Sequence, residues 1–243
     1  MAKLKSQKAF YAALEAARSP IHSGGHPFSK AWSKGQLTLD QVGRWAIQHF
    51  YYIDAIPQQF AYFISRLDHL LARRHMLENL IGEEMPHLPP KRHPDLLVKF
   101  AKACGVSKND LYKAEEHGRI LPSTRAMRAW IWELVAFRHL AEGAAGIMVA
   151  LEGQLPTLYP DFVKTMKKQG LTDDDMEFFH VHIVNDVEHA HVGLEITADY
   201  ANTPELQERA VAAVRASTEM RWRMLDGIYD SIVARGSKSK RAA

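Results

Sequence analysis

His182, Asp186 and His189 stand at i, i+4 and i+7 in a stretch, 180–191, that no proline or glycine interrupts, and Leu194, Ile196 and Tyr200 carry the same apolar rhythm onward. A helix of 3.6 residues per turn places these three side chains within roughly 60° of one another. Two imidazoles and a carboxylate on one stripe are half or more of a metal site, and the missing ligands must come from other helices packed against it. That requirement constrains the chain to a helical bundle. His180, Glu188 and His191 fall on other faces and read as solvated polar groups.

The rest of the sequence supplies the helices. Residues 4–18 form a first amphipathic segment, closed by Ser19-Pro20 and the loop HSGGHP. Thr38, with Gln41 three residues on, is a capping-box start for a second helix through Trp45, His49 and Ile53. Pro57 is expected to kink it before the pattern resumes to Leu67. Further helices are expected over 69–85, 95–104 (with Gly105 at its end), 108–117 (capped by Ser107), 123–153, 160–169, 172–200 and 204–234. Gly143, Ala144, Ala145 and Gly146 give the 123–153 segment a small-residue face suited to close packing. No hairpin signal, strand alternation or internal repeat is present. The expected fold is all-α, one compact bundle of seven or eight helices in a single domain over 1–243, with a core at roughly 5–234 and a basic tail at 235–243.

Composition excludes several function classes. Of 243 residues, 47% are hydrophobic and 24% charged, and the net charge is only +3, so neither nucleic acid nor a membrane surface is indicated as a partner. Cys104 is the one cysteine, so an internal disulfide is impossible. No stretch approaches the ~18 consecutive apolar residues of a membrane span. The N-terminus lacks a signal-peptide h-region, and the expected location is the cytoplasm. There is no G-x-S-x-G, Walker or G-x-G-x-x-G sequence. Cys104, between an apolar helix and Gly105, reads as a buried, inert thiol.

Three further positions can complete a di-metal carboxylate site. Glu152 ends the apolar run MVAL, and an acid placed there needs a partner. Spacing alone leaves Glu83 and Glu84 equally readable as solvated residues at a helix end. It likewise leaves His93 open as an ordinary residue at a helix start, with His87, four residues after Glu83, as the spare ligand. Trp45, His49, Phe50, Tyr51 and Tyr52 form an aromatic cluster, mostly core, part of which can line a pocket.

At roughly 20–200 the chain resembles the haem-oxygenase-like diiron oxidase family, and within it the chlamydial protein associating with death domains. Pyrroloquinoline-quinone synthesis C proteins and thiaminase II proteins are more distant relatives. The resemblance is carried by HPFSKAWSKGQLT, SRLDHLLARRHMLENLIGEE, HPDLLVKFAKACGV, ALEGQLP and FFHVHIVNDVEHAH. It implies the ligand set Glu83, His93, Glu152, His182, Asp186 and His189, and so selects Glu83 over Glu84 and His93 over His87. It implies two iron ions, or a manganese–iron pair, with dioxygen as co-substrate, a homodimer, and an external electron donor. The chlamydial relatives consume one of their own tyrosines to make p-aminobenzoate. Ser29 stands at that place here, Leu151 and Phe178 stand at other tyrosine positions, and Lys167 corresponds to a functional lysine, a catalytic assignment across an insertion.

The expected activity is therefore oxidation of an external small molecule in a pocket walled by Trp45, His49, Tyr52, Leu151 and Phe178. Two other readings stand beside it. One is a metal-free oxidase of the quinone-synthesis type, using the histidines as acid–base groups. The other is a binding protein of the same fold without turnover.

Overall fold

A computed structural model describes residues 3–85 and 92–234. Among these residues there is no strand, and twelve α segments follow one another. They are α1 (Gln7–Arg18), α2 (Pro27–Ser33), α3 (Leu39–Ile53), α4 (Ile56–Arg66), α5 (Leu70–Glu84), α6 (His93–Ala103), α7 (Lys108–Tyr112), α8 (Pro122–Ala136), α9 (Leu140–Ala144), α10 (Leu155–Lys168), α11 (Glu177–Tyr200) and α12 (Pro204–Tyr229). The all-α fold follows the sequence pattern, but the chain is divided more finely than seven or eight helices. His87 lies outside the described residues.

The caps form where the sequence places them. The Thr38 hydroxyl accepts from the Gln41 amide at 3.2 Å while the Gln41 side chain accepts from the Thr38 amide at 2.9 Å. Ser107 and Asp110 repeat the arrangement on α7. Gly105 closes α6 with φ +83°, a left-handed conformation that glycine adopts without strain. Pro57 breaks rather than kinks the second helix. It lacks an N–H to continue the ladder, so α3 stops at Ile53 and α4 restarts with Pro57 in its first turn. Pro27, at the end of the HSGGHP loop, likewise starts α2, a helix the sequence pattern does not mark; the His26 ring caps it by accepting from the Phe28 amide at 3.0 Å.

The expected 123–153 helix is also interrupted. α8 ends at Ala136, and His139 caps α9 from its side chain while Glu142 accepts from the His139 amide. No glycine or proline marks this break, which is why the sequence reads through it. α9 continues into a π-helical turn, Ala145–Val149, in which the Ala150 amide donates to Ala145 five residues back at 3.0 Å. A 3-10 turn, Glu152–Gln154, follows and leads directly into α10. α10 thus begins five residues before the expected 160, because Pro156 falls in its first turn, where no N–H is required.

α11 runs through the middle of this arrangement, packed against α6, α9, α10 and the π turn. Gly193 lets the π turn approach: a Cβ there would fall 2.5 Å from the Met148 Cβ. An aromatic core supports its first two turns. Trp32 stacks on Phe162 at 4.2 Å, and Phe179 meets the edges of Phe100 and Tyr159 at 4.8 and 4.9 Å. No helix among the described residues is long and apolar enough to cross a membrane.

Candidate metal centre

Three segments converge on α11. Glu83 sits on the last turn of α5 and His93 is the first residue of α6. His182 and Asp186 are one turn apart on α11, followed by His189, and Glu152 comes from the 3-10 turn after the π segment. The six residues fall into two groups of three, Glu83–His93–His182 and Glu152–Asp186–His189, whose ligand atoms lie within 4.8 Å of one another in each group. The second repeats the bundle device of a carboxylate and a histidine at i, i+3 projecting from one helix.

The hydrogen bonds define donor roles. His182 Nδ1 lies 2.6 Å from the Phe178 carbonyl. A carbonyl only accepts, so Nδ1 carries the proton and Nε2 presents its lone pair. His93 Nδ1 faces Glu83 Oε1 at 2.9 Å, and His189 Nδ1 is 3.2 Å from Asp186 Oδ1 and 3.4 Å from Glu152 Oε2. Two buried atoms of these groups have no partner, His93 Nε2 and Asp186 Oδ2, and Glu152 Oε2 has only the long 3.4 Å contact with His189. Burying such atoms poorly met costs about 1–3 kcal/mol each, and a cation would answer all three.

The electrostatics agree. Burial, with Glu152 and Glu83 nearby, pushes the Asp186 carboxyl up to about 7 against the opposing pull of His189. Burial disfavours the His189 imidazolium, but its bonds to Asp186 and Glu152 outweigh that and raise it to about 10. Burial also opposes ionisation of Glu83, yet His93, His182 and His189 together hold it below its ordinary value. His182 is driven down to about 3 by burial and then by His93, so it is neutral and free to ligate. Crowded carboxylates that demand positive charge, beside the neutral His182, fit a borderline or hard divalent cation such as iron or manganese.

A cavity of about 60 Å³ opens onto both groups. His49, Tyr52 and Leu151 line it, together with apolar Ile131, Ile147 and Leu155. Trp45 and Phe178 stand one layer behind. Trp45 stacks on His49 at 4.3 Å, and Phe178 packs on His49 and His182. His49 is fully enclosed; burial, then Arg221 and His182, hold its pKa well below the ordinary value, so the ring is neutral. Lys167 is not brought to the cavity: it is exposed and paired with Asp173 at 2.9 Å. Ser29 is buried. Cys104 is buried and its thiol is pushed up to about 12, first by burial, in keeping with an inert side chain. Sequence reasoning missed Arg221, which lines the cavity from α12. The signal was there: Val214, Ser217, Arg221, Met224, Leu225 and Ile228 form the buried stripe of that helix, and Arg221 occupies a core position within it.

Residues 43–222, which include all six candidate ligands, match the model of a family described as iron-containing redox enzymes. The chain belongs to this family. It is 31% identical over 220 residues to the 4-aminobenzoate synthase of Nitrosomonas europaea, covering 86% of each chain. It is 28% identical over 239 residues to the pyrroloquinoline-quinone synthase of Acidiphilium cryptum, covering 97% of this chain and 94% of that one. Among solved structures, a TenA homologue from Pseudomonas syringae superposes with a TM-score of 0.78 over 95% of this chain and 98% of that chain. At 18% identity that likeness speaks for the fold, which is the haem-oxygenase-like one the motifs suggested.

Proposed function

We propose that this member of the family is a di-metal, dioxygen-dependent oxidase of a small organic molecule. Glu83, His93 and His182 would hold one ion, and Glu152, Asp186 and His189 the other, as iron pairs or as manganese and iron. When bound, the metals supply the electron transfer to dioxygen that side chains alone do not perform. The observation that carries the reading is the pair of adjacent three-ligand groups, with buried His93 Nε2 and Asp186 Oδ2 unmet and Glu152 Oε2 held only by a long contact with His189. The chain's own residues do the rest. The His182 Nδ1 proton, fixed on the Phe178 carbonyl, keeps that ring in the ligating tautomer. Ile131, Ile147, Leu151 and Leu155 keep bulk water from the reacting space, and the stacked His49 and Trp45 give it a rigid wall. An external electron donor would supply the electrons that each turnover needs, and the working assembly is a homodimer, which light scattering on the eluting protein tests directly.

The first test is elemental analysis after anaerobic Fe(II) loading, followed by exposure to oxygen with an absorbance trace. The expected result is about two irons per chain, one for each ligand group, and a transient visible band. Absence of bound iron, also after Mn(II) loading, would discard the ligand assignment in favour of a metal-free oxidase like the quinone synthases or a binding protein.

A second reading has one observation in its favour, the similarity to relatives named 4-aminobenzoate synthase. Ser29 replaces the tyrosine that the chlamydial relatives consume, but buried Tyr52 lines the cavity and buried Tyr159 packs 6.1 Å from His182. Intact-chain mass spectrometry after iron and oxygen treatment separates the two readings. An unchanged mass supports an external substrate, whereas loss of a tyrosine side chain supports self-consumption.

A further inference from the structure

The cavity has two sets of unmet polar groups, and a metal pair answers only one of them. The acceptors named above call for cations. Arg221 calls for the opposite. It is 5% exposed and lines the same cavity from α12. Its Nη1 donates a long bond, 3.4 Å, to the Leu151 carbonyl, and its buried Nε has no partner. No carboxylate among the described residues pairs with it, whereas Arg209, exposed on the same helix, is paired with the buried Glu142. A guanidinium stays charged at every physiological pH, so this is a buried positive charge without a counter-ion. His49 Nδ1 shares its lack, and the Tyr159 hydroxyl, buried with no other partner, lies close enough to the Arg221 guanidinium to interact with it.

We propose that Arg221 is a substrate-binding residue that anchors the carboxylate of a small organic acid in this cavity. A planar guanidinium matches a carboxylate's two oxygens, and charge-assisted bonds of this kind are among the strongest in proteins. The rest of the lining argues for a carboxylate on a small apolar body. Ile131, Ile147 and Leu155 offer no donors, and an inorganic phosphate would need more of them than Arg221, Tyr159 and His49 supply. A metal pair adds positive charge to the cavity and cannot neutralise Arg221, so the anion has to arrive with the substrate. The inference deepens the oxidase reading by naming its substrate class, and it rests on that reading only for the chemistry that follows binding.

The test uses benzoate and its neutral isostere benzamide as probes, titrated calorimetrically into the full chain with and without iron. The wild-type chain is expected to bind benzoate at least about tenfold more tightly than benzamide. Arg221→Met, close in volume and without the charge, should lose that preference while binding the same amount of iron; Arg221→Lys should keep part of it. Equal affinity for the two probes would overturn the proposal, as would undiminished benzoate binding by Arg221→Met, which places the anion on the metals. Preference for inorganic phosphate over benzoate would overturn the carboxylate assignment. Iron content separates the two layers. A chain that binds no iron but keeps an Arg221-dependent benzoate preference sinks the metal reading alone, and a chain that binds iron without that preference sinks this one alone.

Discussion

Asp186 concentrates the physics of the centre in one side chain. It is 2% exposed, with Oδ1 on His189 and Oδ2 on nothing. Removing it takes away the i, i+3 partner of His189 and one of the two carboxylates of the second group. Asp186→Ala is therefore expected to lose at least one of the bound ions while circular dichroism still reports the helical fold; a variant with full iron content would refute the ligand set. His49 gives a residue-level pH prediction. Its folded pKa lies well below the ordinary value, because of burial and then Arg221 and His182. The unfolded chain thus binds the proton that the folded chain refuses. The stability linked to His49 is fully present above about 6.5 and is lost as pH falls through that value toward the folded pKa. Urea midpoints should drop between pH 7 and pH 5.5, and the drop should be shallower in His49→Gln.

At the scale of elements, the contact between α11 and the π turn controls where Glu152 stands relative to Asp186 and His189. Gly193→Ala would set a Cβ 2.5 Å from Met148 Cβ, and overpacking of this kind costs about 1–3 kcal/mol. The expected result is a lowered thermal midpoint together with weaker metal binding, since the displaced π turn carries Glu152 with it; full iron affinity in a destabilised variant would separate packing from the site. This is also where sequence and structure part company. α11 was legible because its apolar period is unbroken and no proline or glycine intrudes between 180 and 191, and its three candidate ligands came with it. α3 was legible from the Thr38–Gln41 cap. The break at 137–139 was not, because the cap there is a histidine, and the π turn was not, because a helix with one extra residue keeps nearly the same composition. Glu83 over Glu84 and His93 over His87 needed the family resemblance, since spacing alone does not choose between neighbours on a helix end. Arg221 went unread because a charged residue among Met and Trp looks solvated until the stripe from Val214 to Ile228 is traced.

At the scale of the molecule, the six candidate ligands lie between residues 83 and 189 and meet only when α5, α6, α11 and the turn after α9 are all in place. Ions that bridge such distant segments bind the folded chain and not the unfolded one, so binding free energy becomes folding free energy. Loading with Fe(II) at about 100-fold over its dissociation constant should add about 2.7 kcal/mol, which for a chain of this size raises the thermal midpoint by roughly 5–10 °C. Calorimetry with and without the metal checks this, and the same increment should be largely absent in Asp186→Ala.

The π turn at Ala145–Val149 has a consequence of a different kind. A π turn is an α-helix carrying one inserted residue, and the insertion shifts the register of everything after it by about 100°. Glu152 faces Asp186 and His189 from the far side of that insertion. Winding residues 145–149 as an ordinary α-helix, with no residue removed, would therefore turn everything after it by about 100° and bring Leu151 into the angular slot that Glu152 now holds. The second group would be left without one of its two carboxylates in a chain that is locally more regular than before. The irregularity is the device that sets the angular phase of a carboxylate, and smoothing it away exchanges an acid for a leucine.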